Sequence, residues 1–286
     1  MCEVLGVSTS GYYEYVKRLD REETEREAFN RYLDERIIFH FYDSYGTYGS
    51  PRIHKALERL DGIIVSARKV ASRMSEMNLY ATQPKTYLNT TDSDHNNYIY
   101  PNKLNQGFKV EAPNKVWVTD ITYIYTGEGF LYLNPIMDLY SRRIISYRID
   151  DHMRKELCVN TLKEAIALRE PTEELIHHSD RGAQYSSKSY LNRLEEIGAI
   201  ISMSRKANPF DNACMESFFA SFKKEFLYKQ IYATKAEAIL GVEFYIKFYN
   251  DRRLHSSIGY LSPKEKEMSY KKDREKQLLE ERKTSV

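Results

Sequence analysis

The sequence predicts an α/β fold: a five-stranded mixed sheet flanked by helices, with a small helical domain before it and a helical segment after it. Between residues 113 and 230, strand-like runs rich in Val, Ile, Thr and aromatics alternate with runs of helical period. The first three strand runs follow one another directly, whereas helical runs separate the later ones. Residues 37–82, in contrast, carry only helical periodicity.

Size and composition bound the function. At 286 residues the chain exceeds an ordinary single domain, and 42% hydrophobic content can build a real core. No run of eighteen apolar residues occurs, so no membrane span is expected. The N-terminus has no basic stretch followed by an apolar one, so no signal peptide is expected and the chain should be cytosolic. Cys2, Cys158 and Cys214 lie far apart without zinc spacing and read as reduced thiols. The net charge of +2 says little about partners, but Arg52 to Lys85 holds seven Lys/Arg against three Asp/Glu. Some of the 24 tyrosines can stack on bases, although ordinary packing accounts for most.

Residues 1–36 read as a short apolar start and a charged helix, its alternating signs marking a solvated face. Residues 37–82 read as a helical pair. Ser50 can cap the first helix with Pro51 at its first position, and Ile53, Ala56, Leu57 and Leu60 form one apolar stripe. Asp61-Gly62 ends that helix and Ser66 can cap the next. There Val70, Met74 and Met77 face inward and Arg68, Lys69, Ser72 and Arg73 outward. A basic second helix suits a helix-turn-helix on DNA, and a small bundle with solvated lysines fits equally well. Residues 83–112, rich in Asn, Asp, Thr and Pro, read as a linker or an arm laid over a neighbour.

Within 113–230, strands are expected at Lys115–Tyr125, Phe130–Tyr140 and Arg142–Ile149, with a bulge or break at Asn134-Pro135 because proline cannot donate to a ladder. Next come a helix over Arg154–Leu168, a strand over Leu175–His178, a helix over Lys188–Ile197, a strand over Ala199–Met203 and a helix over Asn212–Tyr228. Three antiparallel strands and then α-β-α-β-α is the order of an RNase H-like core. Residues 231–286 read as a helical C-terminal segment with a solvated end.

Three acidic residues then stand out. Asp120 falls mid-strand, where aspartate is a poor strand former and its buried charge is costly unless paired or metal-bound. Asp180 falls just past a strand's carboxyl end, where α/β sheets place ligands. Glu216 falls one turn into a helix whose core stripe is Met215, Phe218, Phe219, Phe222 and Phe226, and it sits about 100° round from Met215. Lys223, seven residues on, lies below Glu216 on the same side. Taken singly, each acid has a plain structural reading; together they suit two divalent metals held over a phosphodiester.

The motifs around these residues resemble those of the OrfB-type bacterial insertion-sequence transposases, DDE enzymes close to retroviral integrases. The resemblance rests on Tyr48-Gly49-Ser50-Pro51-Arg52-Ile53, Trp117-Val118-Thr119-Asp120-Ile121-Thr122-Tyr123, His178-Ser179-Asp180-Arg181-Gly182 and Asn208-Pro209-Phe210-Asp211-Asn212-Ala213 leading to Glu216. Thirty-five residues separate Asp180 from Glu216, as in that family, and Lys223 falls where the family keeps a basic residue. Tyr249-Asn250, Arg253, His255-Ser256, Gly259-Tyr260 and Pro263 resemble its closing motif, with Leu254 in place of a frequent proline.

That resemblance implies strand cleavage and strand transfer of an insertion sequence, with Asp120, Asp180 and Glu216 binding two Mg²⁺ or Mn²⁺ ions. Lys223 would hold a phosphate or the terminal nucleotide. Arg68, Lys69, Arg73, Arg181, Arg205 and Lys206 are weaker candidates for DNA contacts. Arg253 and His255 fit a structural fastening at least as well as catalysis, and His178 fits neutral packing better than proton transfer. Expected partners are DNA in the cytoplasmic nucleoid, further copies of the chain and an upstream OrfA-type product, fused or separate. Two alternatives remain: a DNA-binding regulator of transposition, and an RNase H-like nuclease without strand transfer.

Overall fold

A computed structural model describes residues 2, 4–19, 22–81, 98–171, 174–206 and 208–284. They form two compact units, Met1–Ala81 and Thr82–Val286. Among them no helix is long and apolar enough to cross a membrane.

The first unit holds α1 (Thr9–Leu19), α2 (Glu25–Asp43), α3 (Ser50–Leu60) and α4 (Ala67–Glu76). Thr24 caps α2 in a reciprocal box with Glu27. Leu33, Ile37 and Phe41 of α2 are buried with Ile53, Ala56 and Leu57 of α3 and Val70 and Met74 of α4. The expected boundary at residue 36 therefore falls inside α2, because its apolar stripe runs through it. Gly49, not Ser50, caps α3, and Ser50 and Pro51 open the helix. Asp61, the α3 C-cap, takes Arg36 and His40 of α2, each at 2.6 Å. Gly62 adopts the left-handed φ of +70° that releases the chain into the turn. Ser66 caps α4 through the Lys69 N–H, as its place before the helix predicts.

In the second unit the strands are β1 (Val116–Thr119), β2 (Thr122–Thr126), β3 (Gly129–Asp138), β4 (Arg143–Asp150), β5 (Ile176–Ser179) and β6 (Ile200–Met203). β1 and β2 pair antiparallel with one edge of β3, and β4 with its other edge. β5 joins β1 in parallel and β6 joins β5 in parallel. The first expected strand is thus split in two. Thr119 pairs with Ile136 and Thr122 with Leu133, so Asp120 and Ile121 face Asn134 and Pro135 across a gap in the ladder. β3 itself runs through Pro135, and a register shift against β4 occurs at Ile136/Met137. The expected irregularity is therefore one residue on, and the break lies in the neighbouring strand.

Helices α5 (Lys155–Arg169), α6 (Lys188–Glu196), α7 (Ala213–Glu225), α8 (Lys235–Asp251) and α9 (Pro263–Thr284) complete this unit. Alternation along β1 sends Val116 and Val118 into a core with Phe218 and Phe222 of α7 and Val242 and Tyr245 of α8. Trp117 goes to the opposite face with Cys158 and Leu162 of α5 and Tyr190 and Leu194 of α6. The C-terminal segment expected from residue 231 thus shares the sheet's core rather than forming its own. Glu267 anchors α9 by pairing with Arg143 at 2.6 Å and Arg169 at 2.9 Å. Part of the expected linker, residues 83–97, lies outside the described residues. The remainder of the linker is tied to the core: Ser202 Oγ accepts the Lys103 N–H at 2.9 Å and the Leu104 N–H at 3.1 Å.

Candidate active site

The parallel register of β1 and β5 sets Val118 beside His178. Asp120 and Asp180 are each the second residue after this pair, so both leave the carboxyl ends of adjacent strands. Asp120 is half-buried, and its backbone carbonyl accepts from the Asn134 amide at 2.9 Å. That amide also reaches Thr119 Oγ1 at 3.0 Å and the Tyr185 hydroxyl at 2.7 Å. Side-chain bonds from Asn134 stand in for the missing ladder, which is how an aspartate is tolerated in mid-sheet.

Asp180 Oδ1 accepts the Gly182 N–H at 2.9 Å. A Cβ on Gly182 would come within 3.0 Å of both Asp180 Oδ1 and Gln184 Oε1, so the turn is closely fitted around the carboxylate. Glu216 lies exposed in the first turn of α7. The start of that helix is tied to the end of β1 by Asn212, whose Nδ2 donates to the Thr119 carbonyl at 3.2 Å. Asp211, fully buried just before it, takes the Arg205 guanidinium at 2.7 Å and 3.0 Å and the Arg205 N–H at 2.8 Å. The Arg205 side chain holds the Asp211 carboxyl far below the usual carboxylate range.

Electrostatics join the acids. Burial, then Asp180 and then Glu216 push the Asp120 carboxyl well above its ordinary range, against the Ile121 N–H and Lys223. Half-burial lowers the Lys223 ammonium while Asp120 sustains its charge. Its Nζ lies 5.1 Å from the centroid of the Tyr123 ring. A carboxyl raised by two neighbouring carboxylates, in a set of hard oxygen donors, fits a divalent cation. The set is open: among the described residues the compact group, with ligand atoms within 4.8 Å of one another, is instead Asp150, Asp151 and His152 at the end of β4.

The other candidates divide by their contacts. Arg68 and Lys206 are exposed. Lys69 sets its ammonium 5.0 Å from the Phe29 ring centroid. Arg73 is engaged by Asp34 and Glu76, and Arg205 by Asp211, which gives both a role inside their own unit. Arg181 Nε donates to the Ser204 carbonyl at 2.6 Å, tying the Asp180 turn to the strand beyond. His178 is buried between Ser202 and Ser204 at 2.8 Å and 3.0 Å, where burial lowers it to about 4. Arg253 and His255 are buried beside α7. The bonds that Asn134 and Tyr185 make beside Asp120 carry no signal in the sequence, whereas Glu225, buried in register with Phe218 and Phe222, is a charge in an apolar stripe and signals a hidden partner.

His177 supplies a pH test. It is fully buried against Tyr190, whose hydroxyl lies 3.2 Å from Nε2, and burial pushes it down to about 3. The unfolded chain binds this proton near pH 6.5 and the folded one does not, so stability falls as pH drops below about 6.5. Urea unfolding should show a loss approaching about 1.4 kcal/mol per pH unit, relieved in His177→Gln. An unchanged slope in that variant contradicts the assignment.

Residues 110–209 match the integrase core domain family, 198–263 a second integrase core domain family, and 29–87 the HTH-like domain family. The "Insertion element IS600 uncharacterized 31 kDa protein" of Shigella sonnei is 41% identical, over 92% of this chain and 96% of that protein. The "Transposase for insertion sequence element IS904" of Lactococcus lactis is 38% identical, over 87% of this chain and 97% of that one. The HTLV-2 integrase catalytic core solved with magnesium aligns at 14% identity with a TM-score of 0.42, over 53% of this chain and 94% of that one. With an RNase H-like sheet, an HTH-like segment and this identity over most of its length, the chain belongs to the insertion-sequence transposases with an integrase catalytic core.

Proposed function

We propose that the chain cuts and joins DNA at insertion-sequence ends by metal-dependent polynucleotidyl transfer, with Asp120, Asp180 and Glu216 as the metal ligands. One observation carries this reading: two aspartates leave neighbouring parallel strands at the same level, and the Asp120 carboxyl responds to both Asp180 and Glu216. Two Mg²⁺ or Mn²⁺ ions, when bound, would neutralise the scissile phosphate and activate first water and then a 3′-hydroxyl. The protein's part is placement. Asn134 and Asn212 hold the end of β1, and Gly182 lets the Asp180 carboxylate fold onto its own turn. Lys223 offers a cation to the phosphate beside Asp120, and the exposed Glu216 faces incoming DNA.

The HTH-like segment would bind DNA through Arg68 and Lys69 of α4, with Lys206 adding a salt-dependent contact near the core. Assembly of several copies on DNA, and cooperation with an upstream OrfA-type product, belong to the same proposal. The test is a gel assay that separates binding, nicking and joining on labelled element ends, with and without the upstream product. Mg²⁺ and Mn²⁺ should support both nicking and joining. Ca²⁺, with its looser coordination, should slow both at least about tenfold. Nicking without joining under every condition would favour a plain nuclease, and turnover in excess chelator would sink the metal mechanism.

A further inference from the structure

The β2–β3 hairpin carries an aromatic surface that the proposed chemistry does not use. Tyr123 and Tyr125 alternate along β2 and so share a face, and Tyr125 pairs directly with Phe130 across the hairpin. Phe130 packs edge-on against both tyrosines, with centroids 5.8 Å from Tyr123 and 5.5 Å from Tyr125. Ile124, Leu131 and Leu133 turn the other way into the core. That leaves Tyr125 65% and Phe130 47% exposed on a sheet face. Exposed aromatics in mutual contact offer an apolar surface on which a partner can pack.

Position and charge select the occupant. Tyr123 lies three residues after Asp120, and Lys223 holds its ammonium against the Tyr123 ring. Tyr228, 60% exposed, lies within electrostatic reach of Tyr123. Rings beside a cation that is itself within electrostatic reach of Asp120 match a strand in which flat bases alternate with phosphates. Such pairs of stacking ring and backbone cation recur in single-strand binding because every base has a π-face.

We propose that Tyr123, Tyr125 and Phe130 form a stacking platform for unpaired bases of the DNA strand held at the active site, with Lys223 alongside for its phosphate. The proposal rests on the catalytic reading above for where the DNA lies. It gives the enzyme a means of keeping frayed nucleotides next to the scissile phosphate from re-pairing.

The test uses the full chain and an element-end duplex carrying 2-aminopurine in a single-stranded overhang beside the cleavage site. Leucine in place of both exposed aromatics, Tyr125→Leu/Phe130→Leu, keeps apolar bulk on the hairpin and removes the π-faces. Wild-type protein should quench the 2-aminopurine, and the double variant should lose the quench. The double variant should also bind the overhang duplex about tenfold more weakly while binding the blunt duplex unchanged. Equal quench and affinity in both proteins would overturn the platform, as would an equal loss on blunt DNA. A change in oligomeric state by light scattering, with DNA affinity intact, would assign the surface to a second copy instead. Asp120→Asn run in parallel keeps the two readings apart: cleavage by that variant removes the catalytic assignment without touching the quench.

Discussion

Asp120→Asn is expected to abolish nicking and joining of element ends while leaving DNA binding within about twofold. Asparagine keeps the size of the side chain and can still accept the Ile121 N–H that Asp120 Oδ1 takes at 2.7 Å. What it loses is the negative charge, which Asp180 and Glu216 already oppose and which a bound cation would secure. Charge stabilisation by a metal is worth several kcal/mol of transition-state energy, so the rate should fall by about a thousandfold or more. Stability should not fall, because the substitution relieves repulsion among carboxylates. A loss of activity together with a lower unfolding midpoint would point to misfolding rather than lost metal binding. Cleavage at the wild-type rate would remove Asp120 from the mechanism.

The second large effect is expected at Arg253. Its guanidinium is buried and donates to both Glu225 oxygens, at 2.7 Å to one and 2.5 Å to the other, and to Ser221 Oγ at 3.1 Å. Tyr245 donates to the same carboxylate at 3.0 Å. Glu225 closes the helix that opens near Glu216, so this network fixes α7 from the chain's later segment. Arg253→Met leaves a buried carboxylate without its cation and should cost about 3–5 kcal/mol in urea unfolding. The double variant Arg253→Met/Glu225→Gln, which removes both charges, should recover a good part of that loss. A single variant as stable as wild type would show that the pair holds nothing in place.

These two residues also show what was legible in the sequence. Asp120 could be found because an acid within Val116–Tyr123 breaks a strand's composition, and such a breach asks for a reason. Most other strands and helices of the core could be placed to within a residue or two because their periodicities are strong, although the helix expected to reach Tyr228 ends at Glu225. Arg253 carried no such signal about its partner, because a pair separated by 28 positions is set by tertiary packing. The split of the first strand was equally hidden. Its cause is Asn134-Pro135, read correctly as an irregularity but in its own strand, whereas the ladder fails in the neighbour. The boundary expected at residue 36 falls inside α2 because the charges there alternate on the solvated face while the apolar spacing of Leu33, Ile37 and Phe41 continues through it.

The gap opposite Asn134 and Pro135 bears on how the gene for such a chain can change. In an unbroken strand, one residue added to the turn at Gly127-Glu128 would slide every side chain beyond it to the wrong face of the sheet. Here the hydrogen bonds of β1 stop at Thr119 and those of β2 begin at Thr122. β2 nevertheless keeps the register of β1 against β3 across that gap, and the Asn134 amide pins the Asp120 carbonyl, so an insertion in the turn would still slide β2 while Asp120 stays held. A hairpin of unchanged length can then vary in composition, so that its outer surface changes while the carboxylate stays in register.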